Sequence, residues 1–188
     1  MLKNLATSKT QHSFGPNHIN GILFDGAWLW EEYIDKLIGE NFYHKKNQSG
    51  IDAQQLFSKS NNFSKIGRIY PDFISKNSNK RIIADAKYKP IKNIANKDYL
   101  QVLAYMFRFN AKMGFYIYPA NNNESESDPE SKMYLNEGTT FENNVKHQED
   151  IRKTGIDIST KSSKELRNLF IKQLLINLMF PIIWCLPI

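Results

Sequence analysis

The chain has 188 residues, 41% of them hydrophobic and 13% aromatic, a composition that indicates a globular protein and excludes a disordered one. Its net charge of +6 favours an acidic partner, and nucleic acid is the commonest partner of basic domains. The single cysteine, Cys185, excludes an internal disulfide and is typical of a protein in the reducing cytoplasm. The histidines are scattered without zinc-ligand spacing, which argues against a zinc site.

The first predicted element is a helix from Asp25 to Leu37, preceded by a polar and irregular lead-in over residues 1–20. The lead-in has no apolar core of the kind that marks a signal peptide. We expect one domain over residues 21–188. Asp25 is a suitable N-terminal cap for the helix, and apolar residues recur at helical spacing. These residues are Trp30, Tyr33, Ile34 and Leu37. Glu31 lies at the edge of this stripe, where it either faces the sheet or is solvated.

Residues 45–65 are polar and loop-rich, and Leu56, Phe57 and Phe63 indicate a short strand or a flap. After them, two apolar runs flank an Asn/Ser-rich turn, which predicts a β-hairpin. Its strands are expected at Ile66–Ser75 and Arg81–Tyr88.

Three charged side chains are expected to converge on this hairpin. Asp85 and Lys87 point to the same face because side chains alternate along a strand, and Asp72 lies on the partner strand. Two carboxylates at one spot repel each other unless a cation lies between them. The pattern therefore predicts a site for a hard divalent metal with oxygen ligands, most plausibly Mg²⁺. The alternative is a surface hairpin with ordinary charged residues, because short motifs of this type also occur by chance.

A basic stretch surrounds the same site, with seven Lys or Arg residues and one acidic residue between Lys76 and Lys97. It includes Lys89 and the loop from Pro90 to Asn96, which contains Lys92. In a DNA enzyme this loop would contact phosphates. The alternative is a solvated basic loop.

The next predicted helix is capped by Asp98 and stopped by Gly114. We expect its apolar stripe to consist of Leu100, Leu103, Ala104 and Phe107. Gln101 and Tyr105 are four residues apart and therefore share a helix face. Phe115–Tyr118 is predicted to be a buried strand that ends at Pro119. The order strand, helix, strand predicts a right-handed crossover, in which the two flanking strands are parallel.

The last part of the chain contains an acidic, low-complexity segment at residues 121–131, which we expect to be an exposed loop. Residues 133–135 and 155–158 are candidate edge strands, and Lys164–Phe180 is the last predicted helix. The apolar run from Leu169 to Ile188 is interrupted by polar residues and prolines. Its uninterrupted pieces are shorter than the ~18 residues of a spanning helix. A core helix and its exit are therefore favoured over a membrane anchor.

Five short sequences stand in one order along the chain: W-E-E-Y-I, I-Y-P-D-F-I, I-A-D-A-K-Y-K, Y-L-Q-V-L-A-Y and G-F-Y-I-Y-P. Together they resemble the PD-(D/E)xK nuclease core, and more narrowly the McrC nuclease subunits of 5-methylcytosine-specific restriction systems and the related LlaJI-type subunits. The similarity covers roughly residues 22–180 and looks like the C-terminal nuclease domain of such a subunit. The long N-terminal region through which these subunits engage their GTPase is not part of the match.

The resemblance implies an α/β, restriction-endonuclease-like fold, in which a mixed central β-sheet is flanked by helices. It implies Mg²⁺ as cofactor, DNA as substrate and an McrB-like GTPase subunit as partner. The implied metal ligands are Asp72, Asp85, the Ala86 carbonyl and Glu31. Besides these side chains, it implies catalytic roles for Lys87 and Gln101. Tyr105, Lys89 and Lys92 are the expected DNA contacts.

The function expected from the sequence is a Mg²⁺-dependent DNA endonuclease domain within a cytoplasmic modified-DNA restriction system. Two alternatives remain. One is a DNA-binding or assembly module without cleavage, and the other is a PD-(D/E)xK repair or recombination nuclease.

Overall fold

The architecture is seen in a computed structural model that describes residues 25–44, 53–120, 131–139, 142, 144–157, 165 and 168. Two α-helices and eight strands make up the described elements: α1 Gly26–Ile38, β1 Phe42–His44, β2 Gln54–Ser58, β3 Lys65–Ile69, β4 Phe73–Ser75, β5 Ile82–Ala86, α2 Asn96–Phe109, β6 Met113–Ala120, β7 Lys132–Glu137 and β8 Asn144–Asp157. A 3-10 turn at Ile91–Asn93 precedes α2. None of the helices in these ranges is long and apolar enough to cross a membrane.

Six strands form the central sheet in the order β1-β4-β5-β6-β8-β7. Neighbours are parallel at β5/β6 and β6/β8 and antiparallel at β1/β4, β4/β5 and β7/β8. The predicted parallel pairing across the β5–α2–β6 connection is therefore confirmed. Alternate residues of β5 belong to two apolar clusters on opposite faces of the sheet. Ile82 and Ala84 pack with residues of α1 on one face, and Ile83 packs with residues of α2 on the other. The expected mixed sheet flanked by helices is confirmed.

Helix α1 agrees with the sequence pattern at both its start and its buried face. The Asp25 carboxylate accepts hydrogen bonds from the backbone N–H groups of Ala27 (3.0 Å) and Trp28 (3.2 Å), which satisfies donors that have no partner inside the helix. Trp30, Ile34 and Leu37 are buried in the cluster on this face of the sheet.

The first strand of the predicted hairpin is in fact two strands in different sheets. β3 ends at Ile69 and pairs with β2 in a separate two-stranded sheet, whereas β4 contains only Phe73–Ser75 and pairs with β5. Pro71 lies between them, and its fixed φ and missing N–H prevent one continuous ladder. The short strand expected around Leu56 is β2, which makes up one half of the small sheet.

Helix α2 is rotated relative to the prediction. Leu100 and Phe107 are 60% and 87% exposed, and the buried apolar side chains are Val102, Tyr105 and Met106. The reason is close packing onto β6 at Gly114: a Cβ there would lie 2.7 Å from Val102 Cγ1 and 2.9 Å from Met106 Sδ. The glycine expected to stop the helix is therefore the contact point that sets its rotation.

The ends of α2 also differ from expectation. The helix begins at Asn96, and Asp98 lies one turn inside, where its carboxylate accepts the Ala95 N–H at 2.9 Å. It ends at Phe109, followed by Asn110 in the left-handed conformation (φ 51°), which asparagine tolerates better than most residues.

The last strands are longer than predicted. β7 is an edge strand, as expected for residues 133–135. β8 lies between β6 and β7 in the strand order, and its residues 155–157 pair with β6 beyond the last β7 partner, Arg152, so the strand predicted at residues 155–158 is the end of a longer strand. β6 continues past Pro119 to Ala120. The lead-in at 1–20 and residues 121–130 of the acidic segment lie outside the described residues. So does the last predicted helix, except for Glu165 and Asn168, which are helical.

Candidate active site

The two aspartates meet where β4 and β5 pair. Phe73 pairs with Ala84 in an antiparallel register, which puts Asp72 opposite Asp85. Both are buried, with 8% and 1% of their surface exposed. Asp72 Oδ2 accepts the backbone N–H of Ala86 at 2.9 Å. The hairpin thus brings together the carboxylates that the sequence predicted to converge.

The positive charge near the two carboxylates does not offset the effect of their burial on their pKa values. Burial raises the pKa of Asp72 well above its usual value, and the charges of Asp85 and Glu31 raise it further, against the opposing Ala86 amide and Lys87. Burial also raises the pKa of Asp85, and Lys87 offsets only part of that effect. Two buried carboxylates in this state hold a proton or attract a cation.

The donor set suits a magnesium ion. Asp85 Oδ2 is buried and lies 2.6 Å from Lys87 Nζ. The described residues contain no cluster of three or more His, Cys, Asp or Glu side chains placed to hold a metal. Mg²⁺ prefers oxygen ligands, keeps several waters and needs only one or two carboxylates. Asp72 and Asp85 therefore fit this ion and do not fit one that requires a full protein cage.

Lys87 follows β5 directly and points into a group of acceptors. Its ammonium lies 2.6 Å from Asp85 Oδ2, 3.3 Å from Gln101 Oε1 and 3.7 Å from Asp98 Oδ1. Burial alone lowers the pKa of Lys87, but Asp85, Asp72 and Asp98 outweigh it and raise that pKa overall. The side chain is therefore a charged ammonium at neutral pH.

Gln101 and Tyr105 form the α2 side of the site. Gln101 Nε2 donates to the Tyr105 hydroxyl at 2.7 Å, and that hydroxyl donates to the Tyr70 carbonyl at 3.2 Å. Because Tyr105 is buried and its hydroxyl is engaged on both sides, the structure does not offer it to DNA as the sequence reading expected. It instead fixes the amide of Gln101, whose oxygen accepts from Lys87.

Glu31 approaches the site from α1. Burial is the largest effect on the pKa of Glu31 and raises it. The charge of His44 lowers that pKa, and the charge of Asp85 raises it. It is half-buried and within electrostatic reach of the aspartates, rather than fully solvated. The neighbouring Trp30 anchors this turn by donating its indole N–H to the Ile117 carbonyl at 3.0 Å. The same carbonyl accepts the Lys87 backbone N–H at 2.8 Å.

The two lysines expected to contact DNA have different surroundings. Lys89 Nζ is paired with Asp98 Oδ2 at 2.7 Å, and its side chain is 31% exposed. Lys92, in the 3-10 turn, is exposed and available to a phosphate. Lys92 is therefore the more exposed of the two lysines, and both DNA contacts stay predictions.

Comparison with known proteins identifies the family. The family described as "McrBC 5-methylcytosine restriction system component" matches residues 1–119, which is more than half of the chain. The chain belongs to this family. The relation to a 5-methylcytosine restriction system that the motifs indicated is confirmed.

No curated protein matches this McrBC-family chain. Among solved structures, it is similar to a chain in an assembly of Thermococcus gammatolerans McrB AAA+ hexamers with bound McrC. The TM-score is 0.47 and the sequence identity 20%, over 81% of this chain and 34% of that chain. The chain thus spans about a third of that solved chain.

Two residues at this candidate site are not predicted as site residues from the sequence. The sequence predicts only a capping role for Asp98, although it precedes Gln101 by three residues and so shares its helix face. His44 stacks on Phe73 with ring centroids 4.8 Å apart, and its Nδ1 lies 3.2 Å from the Asp72 carbonyl oxygen. No local pattern signals His44, because β1 reaches the site only through tertiary pairing with β4.

Proposed function

We propose that this chain is the Mg²⁺-dependent DNA endonuclease component of a McrBC-type restriction system and acts on cytoplasmic DNA. The observation that carries the proposal is the buried Asp72–Asp85 pair with Lys87 at 2.6 Å from Asp85. A buried carboxylate pair costs stability, and protein sites retain such pairs where a cation is to be bound. The family membership agrees with this assignment.

Each residue has a specific task in phosphodiester hydrolysis. Asp72 and Asp85 would hold Mg²⁺, with the Ala86 carbonyl as a further ligand and Glu31 acting directly or through a water. When bound, the ion polarises the phosphate and lowers the pKa of a coordinated water. The Lys87 ammonium orients the attacking water and offsets negative charge that develops on the phosphate oxygens.

The remaining site residues support these groups and bind the substrate. Gln101 holds Lys87 through its amide oxygen, and Tyr105 fixes Gln101 in turn. Lys92 contacts a DNA phosphate, which positions the duplex without reading its sequence. The net charge of +6 favours the same polyanionic substrate.

An McrB-like GTPase is the proposed partner. The similar solved chain comes from an assembly of McrB hexamers with bound McrC, and this chain spans 34% of that chain. In a system of this kind, recognition of the base or of its methyl group would reside in the partner. The chain described here would supply the cleavage chemistry.

Plasmid cleavage tests the proposal. Purified chain is incubated with methylated plasmid and Mg²⁺, with and without its GTPase partner and GTP, and parallel samples contain EDTA. We expect Mg²⁺-dependent conversion of supercoiled plasmid to nicked and linear forms, stimulated by the partner. A Lys87→Ala preparation controls for contaminating nucleases. If no condition yields cleavage but DNA still binds, the chain is a DNA-binding or assembly module. GTPase-independent cleavage of unmethylated DNA points to a repair-type nuclease.

A further inference from the structure

Asp98 lies at the centre of the site's charge network, although its position in α2 first suggested only a cap. Its side chain is 12% exposed. Oδ2 accepts from Lys89 Nζ at 2.7 Å and from the Ala95 N–H at 2.9 Å. Oδ1 points to the other side, 3.7 Å from Lys87 Nζ. The two oxygens thus have separate tasks: Oδ2 fixes the carboxylate, and Oδ1 faces the ammonium of Lys87.

Lys87 is shared between two carboxylates. Its ammonium is in contact with Asp85 Oδ2 at 2.6 Å, and Asp98 Oδ1 lies about one ångström further away, at 3.7 Å. Gln101 Oε1, at 3.3 Å, offers a third acceptor beside Asp98 on α2. A divalent cation on Asp85 would compete with Lys87 for the same oxygen, because two cations repel each other at this range. The ammonium then needs another anion close by.

We propose that Asp98 is the positioning residue for Lys87: its Oδ1 receives the ammonium when a divalent cation takes Asp85 Oδ2. The movement is short, because Asp98 and Gln101 already lie around the ammonium. Lys87 thereby stays charged and close to the reacting phosphate. This inference rests on the proposed function, since it requires a cation at Asp72 and Asp85.

Lys89 fixes the orientation of the Asp98 carboxylate. By binding Oδ2, it holds the Asp98 carboxylate with Oδ1 turned to Lys87, and it balances the buried charge. Charge-assisted hydrogen bonds of this kind are short and directional. The lysine that the sequence assigned to DNA is thus part of the support for the reactive lysine.

Calcium binding measured by calorimetry on the full chain tests the inference without requiring cleavage. Four proteins are compared: the parent, Asp98→Asn, Lys87→Met and the double variant. We expect Asp98→Asn to weaken Ca²⁺ binding about fivefold or more, because Lys87 then remains on Asp85. In the Lys87→Met background the same substitution should change the affinity less than about twofold, since no ammonium competes.

Controls separate the possible outcomes. Glu149→Gln also removes an ion-paired carboxylate, but its partners are Lys112, directly before β6, and Lys146, on the part of β8 that pairs with β7, so Ca²⁺ affinity should not change. Asp98→Glu, which retains the charge, should recover most of the affinity. If Asp98→Asn weakens Ca²⁺ binding equally with and without Lys87, Asp98 acts as a remote charge and the inference is overturned. If the parent binds no more Ca²⁺ than Asp72→Asn does, the proposed function itself fails.

A kinetic measurement gives a second readout. With Mg²⁺ and DNA, Asp98→Asn should lower kcat about tenfold and leave KM for DNA nearly unchanged, because a misplaced ammonium affects the transition state and not ground-state binding. An increase in KM alone would assign Asp98 to DNA binding and overturn the positioning role.

Discussion

Replacing Asp72 with asparagine should make the protein more stable while removing its proposed activity. The asparagine oxygen can still accept the Ala86 N–H that Asp72 Oδ2 accepts at 2.9 Å, so that hydrogen bond is kept. The substitution removes one of two buried, mutually repelling carboxylates. Because burial and Asp85 raise the pKa of Asp72 in the folded protein, its contribution to stability is present below the unfolded pKa and lost as the pH rises through the folded pKa. Asparagine is neutral throughout.

The expected gain depends on pH. Near pH 4 the Asp72→Asn variant and its parent should be equally stable. At pH 8 the variant should be more stable by on the order of 1 to 3 kcal/mol, the range for relieving an uncompensated buried polar group. For a chain of this length that corresponds to roughly 2–4 °C in Tm per kcal/mol.

Thermal unfolding between pH 4 and pH 8 measures this effect. EDTA is required, because a bound cation stabilises the parent by mass action. Asp98→Asn is a control for which the change in stability with pH should have the opposite sign. Burial raises the pKa of Asp98, but Lys89 and the Ala95 amide outweigh burial and lower that pKa overall. Its charge therefore contributes stability above the unfolded pKa, and this contribution is lost as the pH falls through the folded pKa. An Asp72→Asn variant less stable than its parent at pH 8 would refute the reasoning.

Two further predictions concern α1. Glu31→Gln should raise the Mg²⁺ concentration needed for half-maximal cleavage by about two- to tenfold, since it removes a carboxylate that attracts the cation but keeps its size. An unchanged Mg²⁺ titration curve would assign Glu31 to the solvated surface. Trp30→Phe removes the indole N–H that donates to the Ile117 carbonyl at 3.0 Å. Because that carbonyl still accepts the Lys87 N–H, the free energy of unfolding should fall by only about 1–2 kcal/mol. Chemical denaturation measures it, and a loss near zero would show that the indole does not tie α1 to β6.

The sequence predicted the elements that depend on local chemistry. Asp25 caps α1, and Trp30, Ile34 and Leu37 bury one face of that helix, because capping and helical periodicity are properties of adjacent residues. The convergence of Asp72 with Asp85 could also be predicted from the sequence, because the pairing of two strands in a hairpin determines which side chains share a face.

The sequence did not reveal the features that tertiary packing decides. Helix α2 buries Val102 and leaves Phe107 exposed, because Gly114 allows close approach on one face only. The apolar stripe that periodicity favours is thus on the exposed side. His44 reaches the site through sheet pairing, and the second role of Asp98 depends on the rotation of α2. The pairing of β1 and the rotation of α2 do not follow from spacing along the chain, although the three-residue spacing of Asp98 and Gln101 does place them on one helix face.

In the proposed reaction, Lys87 acts on the transition state of DNA hydrolysis at this site. The most direct test compares parent and Lys87→Ala proteins in the same plasmid cleavage assay with Mg²⁺ and the GTPase partner. DNA affinity is measured separately with Ca²⁺. We expect loss of cleavage by at least about a hundredfold, with the fold and most of the DNA affinity retained. A Lys87→Ala protein that cleaves DNA as fast as its parent would contradict it.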